Sequence, residues 1–197
     1  GRSDHLPAGA VRGAPSLRRQ AQALALRPDL KIEMLRGNVD TRLKRLADGD
    51  FDAILLATSG LNRLGFDEVI RERLSLDAFL PAPGQGALAL QTREGENDAW
   101  VAALNHPMTA LAVAAERGAM TALEGSCRTA IGAHAEIAEG HMRLTVEMLA
   151  PDGSARWRRV GELVDVSSAE AEEAARTLGL RLGAEVHAAA GDQRIAL

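Results

Sequence analysis

Five arginines in the first third of the chain fall at positions suited to ligand chemistry. Arg18 and Arg19 follow Ser16 at the start of an amphipathic segment. Arg36 closes an alternating segment in Leu35-Arg36-Gly37-Asn38, Arg42 lies one turn further on, and Arg63 follows an apolar run within Gly60-Leu61-Asn62-Arg63-Leu64-Gly65. A cation near a helix N-terminus works against the helix dipole by about 0.3–1 kcal/mol when exposed. Several of them in such places point to an anion that compensates. Arginine grips a carboxylate or phosphate through a planar fork of donors, which lysine lacks. Two readings stand side by side: a pocket for a polycarboxylate or phosphate ligand, or a set of solvated arginines.

The single cysteine, Cys127, lies in Leu123-Glu124-Gly125-Ser126-Cys127-Arg128. A lone cysteine is commonly a small buried hydrophobe, but flanking Gly, Ser and Arg fit a turn better than a core. Arg128 favours a thiolate and the end of the preceding helix opposes it, so reactive and inert readings both remain. Gly84-Gln85-Gly86 gives the backbone room to approach a ligand or to turn sharply; without the dinucleotide fingerprint, a hinge is the simpler reading. The five histidines show no metal-ligand spacing, and His106-Pro107 precedes a helix.

The elements that must position these residues follow from periodicity. Ala10–Gly13 reads as a strand with Arg12 an odd guest. Ser16 fits a helix N-cap ahead of Leu17, Gln20, Ala21 and Leu24, and Arg27-Pro28 ends that helix. Leu30–Leu35 is a strand, Val39–Leu46 a helix, and Phe51–Ala57 an apolar run expected of a strand buried on both faces of a parallel sheet. A short helix follows around Leu61. This alternation predicts a doubly wound α/β lobe, in which ligands sit at the carboxyl ends of strands. Leu80–Gly86 is turn-rich, and Ala87–Thr92 reads as another strand. Beyond it, Asn97–Leu104 and Thr109–Leu123 are helical, Ile131–Ile137, Arg143–Leu149 and Arg156–Leu163 are strands, and Ser168–Ala188 is a long helix. Pro151-Asp152-Gly153 turns the last strand pair into a hairpin. The second half is therefore expected to be α+β, with a three-stranded antiparallel sheet.

Composition narrows the function classes. The chain has 197 residues, 46% apolar and 25% charged, with a net charge of −4 and no tyrosine. Few aromatics argue against a base-stacking platform, and the charge gives no support to nucleic-acid or membrane-surface binding. No run of about 18 apolar residues marks a membrane span. Gly1–Gly9 has no apolar signal core and reads as a loop or a cut edge. One cysteine cannot form an internal disulfide and excludes a Cys-rich zinc site; a reducing, cytoplasmic compartment fits.

Taken in order, these stretches resemble porphobilinogen deaminase, the hydroxymethylbilane synthase family. The matching runs are Ser16-Leu17-Arg18-Arg19-Gln20, Leu35-Arg36-Gly37-Asn38-Val39-Asp40-Thr41-Arg42-Leu43, Phe51–Ala57, Gly60–Gly65 and Leu80-Pro81-Ala82-Pro83-Gly84-Gln85-Gly86-Ala87. Leu104-Asn105-His106, Ala115-Glu116-Arg117, Leu123–Cys127 and Ile131-Gly132 follow. The resemblance implies a transferase that joins four porphobilinogens head to tail, with loss of ammonia, on a dipyrromethane cofactor held by a thioether to Cys127. It implies cofactor contacts from Ser16, Arg18, Arg19, Arg36 and Arg42. Substrate contacts are implied for Arg18, Arg36, Arg42, Arg63 and Gln85.

Residues 1–86 would be a periplasmic-binding-protein-like carboxylate lobe, the family's second domain. Residues 87–104 would be a crossing segment that belongs with the first domain, and 105–197 the cofactor-anchoring third domain. The family's first domain, with its catalytic aspartate, is expected to be missing here, so no catalytic residue is assigned. A separate first domain is an expected partner, and the family is usually monomeric. A non-catalytic anion-binding lobe and a split-subunit fragment are the alternatives. One departure stands out: the family places Gly-Thr-Ser-Ser or Gly-Thr-Ala-Ser before Leu-Arg-Arg, where this chain has Gly13-Ala14-Pro15-Ser16. Arg12 also stands where an apolar strand residue is expected.

Overall fold

Residues 5–95, 99–124 and 129–191 are described by the computed structural model. Three short parallel strands open the chain: β1 (Val11–Ala14), β2 (Lys31–Met34) and β3 (Ala53–Ile54), in the order β2-β1-β3. Between them run α1 (Leu17–Leu26) and α2 (Val39–Ala47), and α3 (Thr58–Arg63) follows β3. The caps are those the residue types favour. Ser16 Oγ accepts from Arg19 N at 3.4 Å, and Asn38 Oδ1 accepts from Thr41 N at 2.9 Å.

Two expectations are corrected. The apolar run Phe51–Ala57 forms a ladder only at Ala53–Ile54. Among the described residues β3 lies at the sheet edge beside β1, and Ala53 and Ile54 are only half-buried, so this strand is not buried on both faces. Hydrogen bonds from Asp52 N to Val11 O and from Leu55 N to Gly13 O extend the pairing slightly at each end. Ala87–Thr92 is not a strand. No described strand lies beside it to complete a ladder, and its apolar residues face outward, Leu88 being 84% exposed. The helix expected over 97–104 is α4, Ala99–Ala103, and Asn97 lies outside the described residues.

The second half matches its expected architecture. It contains α5 (Pro107–Ala122), β4 (Ala130–Ala138), β5 (His141–Leu149), β6 (Arg156–Val164) and α6 (Ala171–Ala190). The three strands form an antiparallel sheet in the order β4-β5-β6. The two long helices lie so close that a Cβ on Gly179 would collide with Ala115 O, so only glycine fits there. The chain is thus a mixed α/β protein with two separate three-stranded sheets.

The alternation of β5 decides how the halves meet. Met142, Leu144, Val146 and Met148 share the core with α5 and α6. Thr145, Glu147 and Leu149 point to the opposite face, and all three are buried. The lobe covers that face. Leu149 and Ala130 pack with Ala21, Leu17 and Ala25 of α1, and Ala133 N donates to Pro81 O. Arg18, Ala21, Gln22 and Ala25 are spaced as one helical stripe, so Arg18 belongs to the stripe that meets the second sheet.

Candidate functional site

A cavity of about 420 Å³ lies beside the first sheet. Arg12, Arg18, Arg19 and Gln85 line it with Ile54, Leu55, Leu61, Phe79 and further apolar groups. Four arginines (12, 18, 19 and 71) face two carboxylates, Asp52 and Glu72, so the lining is cationic by two. One carboxylate is partly engaged, because Asp52 Oδ2 accepts from Val11 N at 2.8 Å.

Arg18 is the best-defined cation. It is 8% exposed and lies in the first turn of α1, just beyond the carboxyl end of β1. Nη1 donates to Leu80 O at 2.5 Å and to Gln22 Oε1 at 3.1 Å, and Nη2 donates to Gln85 Oε1 at 3.2 Å. All three acceptors are neutral. A guanidinium carries five N–H donors, so its charge and two donors remain for a ligand. Burial lowers its pKa to about 10, neighbouring Arg19 lowers it too, and Glu147 pulls the other way. The group is still fully charged at neutral pH. A buried cation without a touching counterion costs free energy, and an anion in the cavity would offset that cost.

Arg19 repeats the pattern. Its pKa is lowered by burial and then by Arg42. Among the described residues no carboxylate is hydrogen-bonded to either Arg18 or Arg19. Arg12 is 5% exposed on the central strand β1, with its guanidinium 5.9 Å from the Phe79 ring centroid. Burial lowers its pKa, Glu72 raises it and Arg27 lowers it.

The structure brings Arg18, Arg19 and Gln85 to one cavity. Ser16, Arg36, Arg42 and Arg63 are not among its lining residues. Ser16 is occupied as the α1 cap. Arg36 is exposed in the turn after β2, and Arg42 folds back so that Nε donates to Gly37 O at 2.7 Å. Arg63 is exposed in the last turn of α3, an end that suits a cation. Cys127 lies outside the described residues. Ala130, three positions later, packs against Leu17 and Ala21 of the helix that carries Arg18 and Arg19.

Sequence reasoning noted Arg12 only as an oddity; its place on the central strand was the signal that it faced something. Glu116 was also missed as a support. This 5% exposed carboxylate on α5 accepts from Gly84 N at 2.6 Å and from Ala135 N at 2.9 Å. It thereby ties the Gly84-Gln85-Gly86 turn to α5 and β4 and holds Gln85 beside Arg18. Among the described residues no group of three His, Cys, Asp or Glu could hold a metal, and no helix is long and apolar enough to cross a membrane.

Comparison with known proteins agrees along nearly the whole chain. A family model described as "Porphobilinogen deaminase, dipyromethane cofactor binding domain" matches residues 1–101. One described as "Porphobilinogen deaminase, C-terminal domain" matches residues 110–188. A porphobilinogen deaminase of Caulobacter vibrioides (strain NA1000 / CB15N) is 56% identical over 192 residues, covering 97% of this chain and 59% of the relative. Those of Phenylobacterium zucineum (strain HLK1) and Caulobacter sp. (strain K31) are 53% and 55% identical, covering 97% and 96% of this chain and 60% of each relative. The chain therefore spans about three fifths of the length of the curated relatives it matches. On the cavity, the motifs and these matches together, the chain belongs to the porphobilinogen deaminase family.

Proposed function

We propose that this chain is the carboxylate-binding and cofactor-anchoring part of a transferase that condenses four porphobilinogens into hydroxymethylbilane with loss of ammonia. The observation that carries the reading is Arg18: a buried guanidinium held by three neutral acceptors, beside a cavity that Arg19 and Arg12 also line. Acetate and propionate groups on a pyrrole are the anions such a site suits, since arginine binds carboxylates with paired charge-assisted hydrogen bonds. The first 86 residues act, on this reading, as a periplasmic-binding-protein-like lobe that presents arginines at the carboxyl ends of its strands.

The residues present fit a dipyrromethane group. Arg18 and Arg19 would bind its carboxylates, Gln85 would keep the Arg18 fork turned, and the apolar wall of Leu55, Leu61 and Phe79 would exclude water around the rings. Cys127 is the proposed attachment point, supported by the nearness of Ala130 to α1. When bound, the group supplies the terminal pyrrole carbon to which the next ring is joined. Within this scheme Arg42, with its charge next to Arg19, adds to the field felt by a carboxylate. Arg36, Arg63 and Ser16 are proposed contacts for a growing chain that outgrows the cavity. The substrate is porphobilinogen and the compartment cytoplasmic.

The test is titration of the full chain with porphobilinogen. Arg18→Leu should weaken binding by about tenfold or more, the size of a lost charged hydrogen bond. Unchanged affinity would remove the basis of the reading. Intact mass gives a second check, because a covalent dipyrromethane should be absent in Cys127→Ser.

A further inference from the structure

A carboxylate with no exposed surface sits toward the carboxyl end of β5, outside the anion cavity. Glu147 Oε2 accepts from Arg158 Nε at 2.9 Å and from Arg158 Nη2 at 2.6 Å, and Arg156 Nε lies 3.6 Å away. Its other oxygen, Oε1, accepts from Gln22 Nε2 at 2.6 Å, across 125 residues of sequence. Gln22 is also fully buried, and its Nε2 donates a second time, to Leu80 O at 2.9 Å.

These contacts leave the Gln22 amide one orientation. A carboxylate and a carbonyl can only accept, so the NH₂ end of Gln22 must face Glu147 and Leu80. The amide oxygen is then turned to Arg18, where it accepts from Nη1 at 3.1 Å. Leu80 O takes the other Nη1 donor. Both hydrogens on one nitrogen are thus fixed, and the guanidinium cannot turn in its plane. If the Gln22 amide were reversed, its NH₂ would meet the Arg18 donors and push the fork away.

Replacing a buried ion pair by apolar residues of the same size is often neutral or stabilising. Docking of the two halves, to which Arg158 adds a bond from Nη2 to Asp77 O at 2.9 Å, does not by itself require a charge at position 147, whereas orientation of the Gln22 amide does. We propose that Glu147 and Gln22 are positioning residues for Arg18: the carboxylate on β5 locks the Gln22 amide, and the amide oxygen holds the Arg18 fork toward the cavity. This rests on the carboxylate-binding reading of Arg18. It makes affinity in the first domain depend on a side chain of the second.

The experiment uses the full chain and two near-isosteric variants, Glu147→Gln and Gln22→Met. Gln22→Met leaves the Glu147–Arg158 pair intact, so it serves if Glu147→Gln fails to fold. Porphobilinogen affinity should fall by about five- to tenfold in each, as for loss of one oriented hydrogen bond to a charged group. The double variant should be no worse than either single, because both act through one amide. In an Arg18→Lys background, Glu147→Gln should change affinity no further. A second readout needs no ligand. By ¹⁵N NMR, the wild-type Arg18 guanidinium should rotate slowly about its Cζ–Nη1 bond, and Glu147→Gln should speed that rotation.

Equal losses from Glu147→Gln in the wild-type and Arg18→Lys backgrounds would overturn the proposal, as would an unchanged rotation rate. If the wild-type chain fails to bind porphobilinogen, the carboxylate reading fails, and the rotation measurement alone decides whether Glu147 positions Arg18.

Discussion

The two halves of the molecule are built on different terms. The antiparallel half has nine-residue strands and one continuous apolar cluster from Leu111 to Ala190, including Leu144, Val146, Leu178 and Leu182. The parallel half has strands of four, four and two residues. Its own cluster is Ala14, Ala23 and Leu55, with Ile32, Leu74 and Phe79 against it. The half that holds the arginine-lined cavity gives much of its interior to arginines, Arg12 and Arg18 both being buried. The lesson is a division of labour. The antiparallel half holds the large core, and the parallel half leans on it through α1, which lies on the covered face of β5. Proteins commonly place binding elements in their less stable parts, and here the half with the smaller core is braced from outside.

The largest expected effects test that division directly. Leu144→Ala, at a fully buried position in the large cluster, should destabilise by about 4 kcal/mol, near the upper range for such cavities. Leu55→Ala, in the small cluster beside the cavity, should cost about 2 kcal/mol, because the site can collapse and its surroundings are partly open. Urea unfolding followed by far-UV circular dichroism measures both. Equal costs would break the comparison. Hydrogen exchange would sharpen it, with α1–β3 amides exchanging before those of β5 and α6.

A smaller effect is expected at the seam. Gly153, in the turn between β5 and β6, has φ of +74°, and a Cβ there would collide with Ala25 N on α1. Gly153→Ala must strain the turn and push the hairpin off the helix, at a cost of about 2 kcal/mol. The diagnostic result is selective: the lobe should lose protection from exchange while the β4–β6 sheet keeps it. Loss confined to the hairpin would show that the lobe does not depend on this contact.

The same contrast explains what was legible in the sequence. The second domain could be read almost element by element, because long alternating strands and a Pro151-Asp152-Gly153 turn are local signals. Ser16 likewise marked a helix start by chemistry that acts within three residues. The length of β3 could not be read, since an apolar run does not reveal how many neighbours will pair with it. Ala87–Thr92 had the right residues for a strand and no described partner. In the site, Arg18 and Arg19 stood out by their place in a helix's first turn. Glu147 did not, because its partner Gln22 lies 125 residues away and nothing near either residue marks the pair.

The smallest expected effect concerns the brace between the hinge turn and the second domain. His134 Nδ1 on β4 lies 3.5 Å from Glu116 Oε1, the carboxylate that also accepts from Gly84 N. The His134 pKa is raised from 6.5, chiefly by its hydrogen bond to Glu116 and against the cost of burial, with further help from the charges of Glu116 and Glu136. A folded pKa above the unfolded value means that protonation favours the folded state. The contribution is fully present below about pH 6.5, declines as pH rises through the folded pKa, and is absent well above it. Wild-type stability should therefore fall between pH 6 and pH 8 by an amount that His134→Gln removes, under about 1 kcal/mol with the histidine 31% exposed. Urea midpoints for the two proteins at both pH values measure it. The Gln variant should match wild type at pH 8 and be the weaker of the two at pH 6. A gap that persists unchanged at pH 8 would mean that His134 supports the hinge through packing and not through its charge.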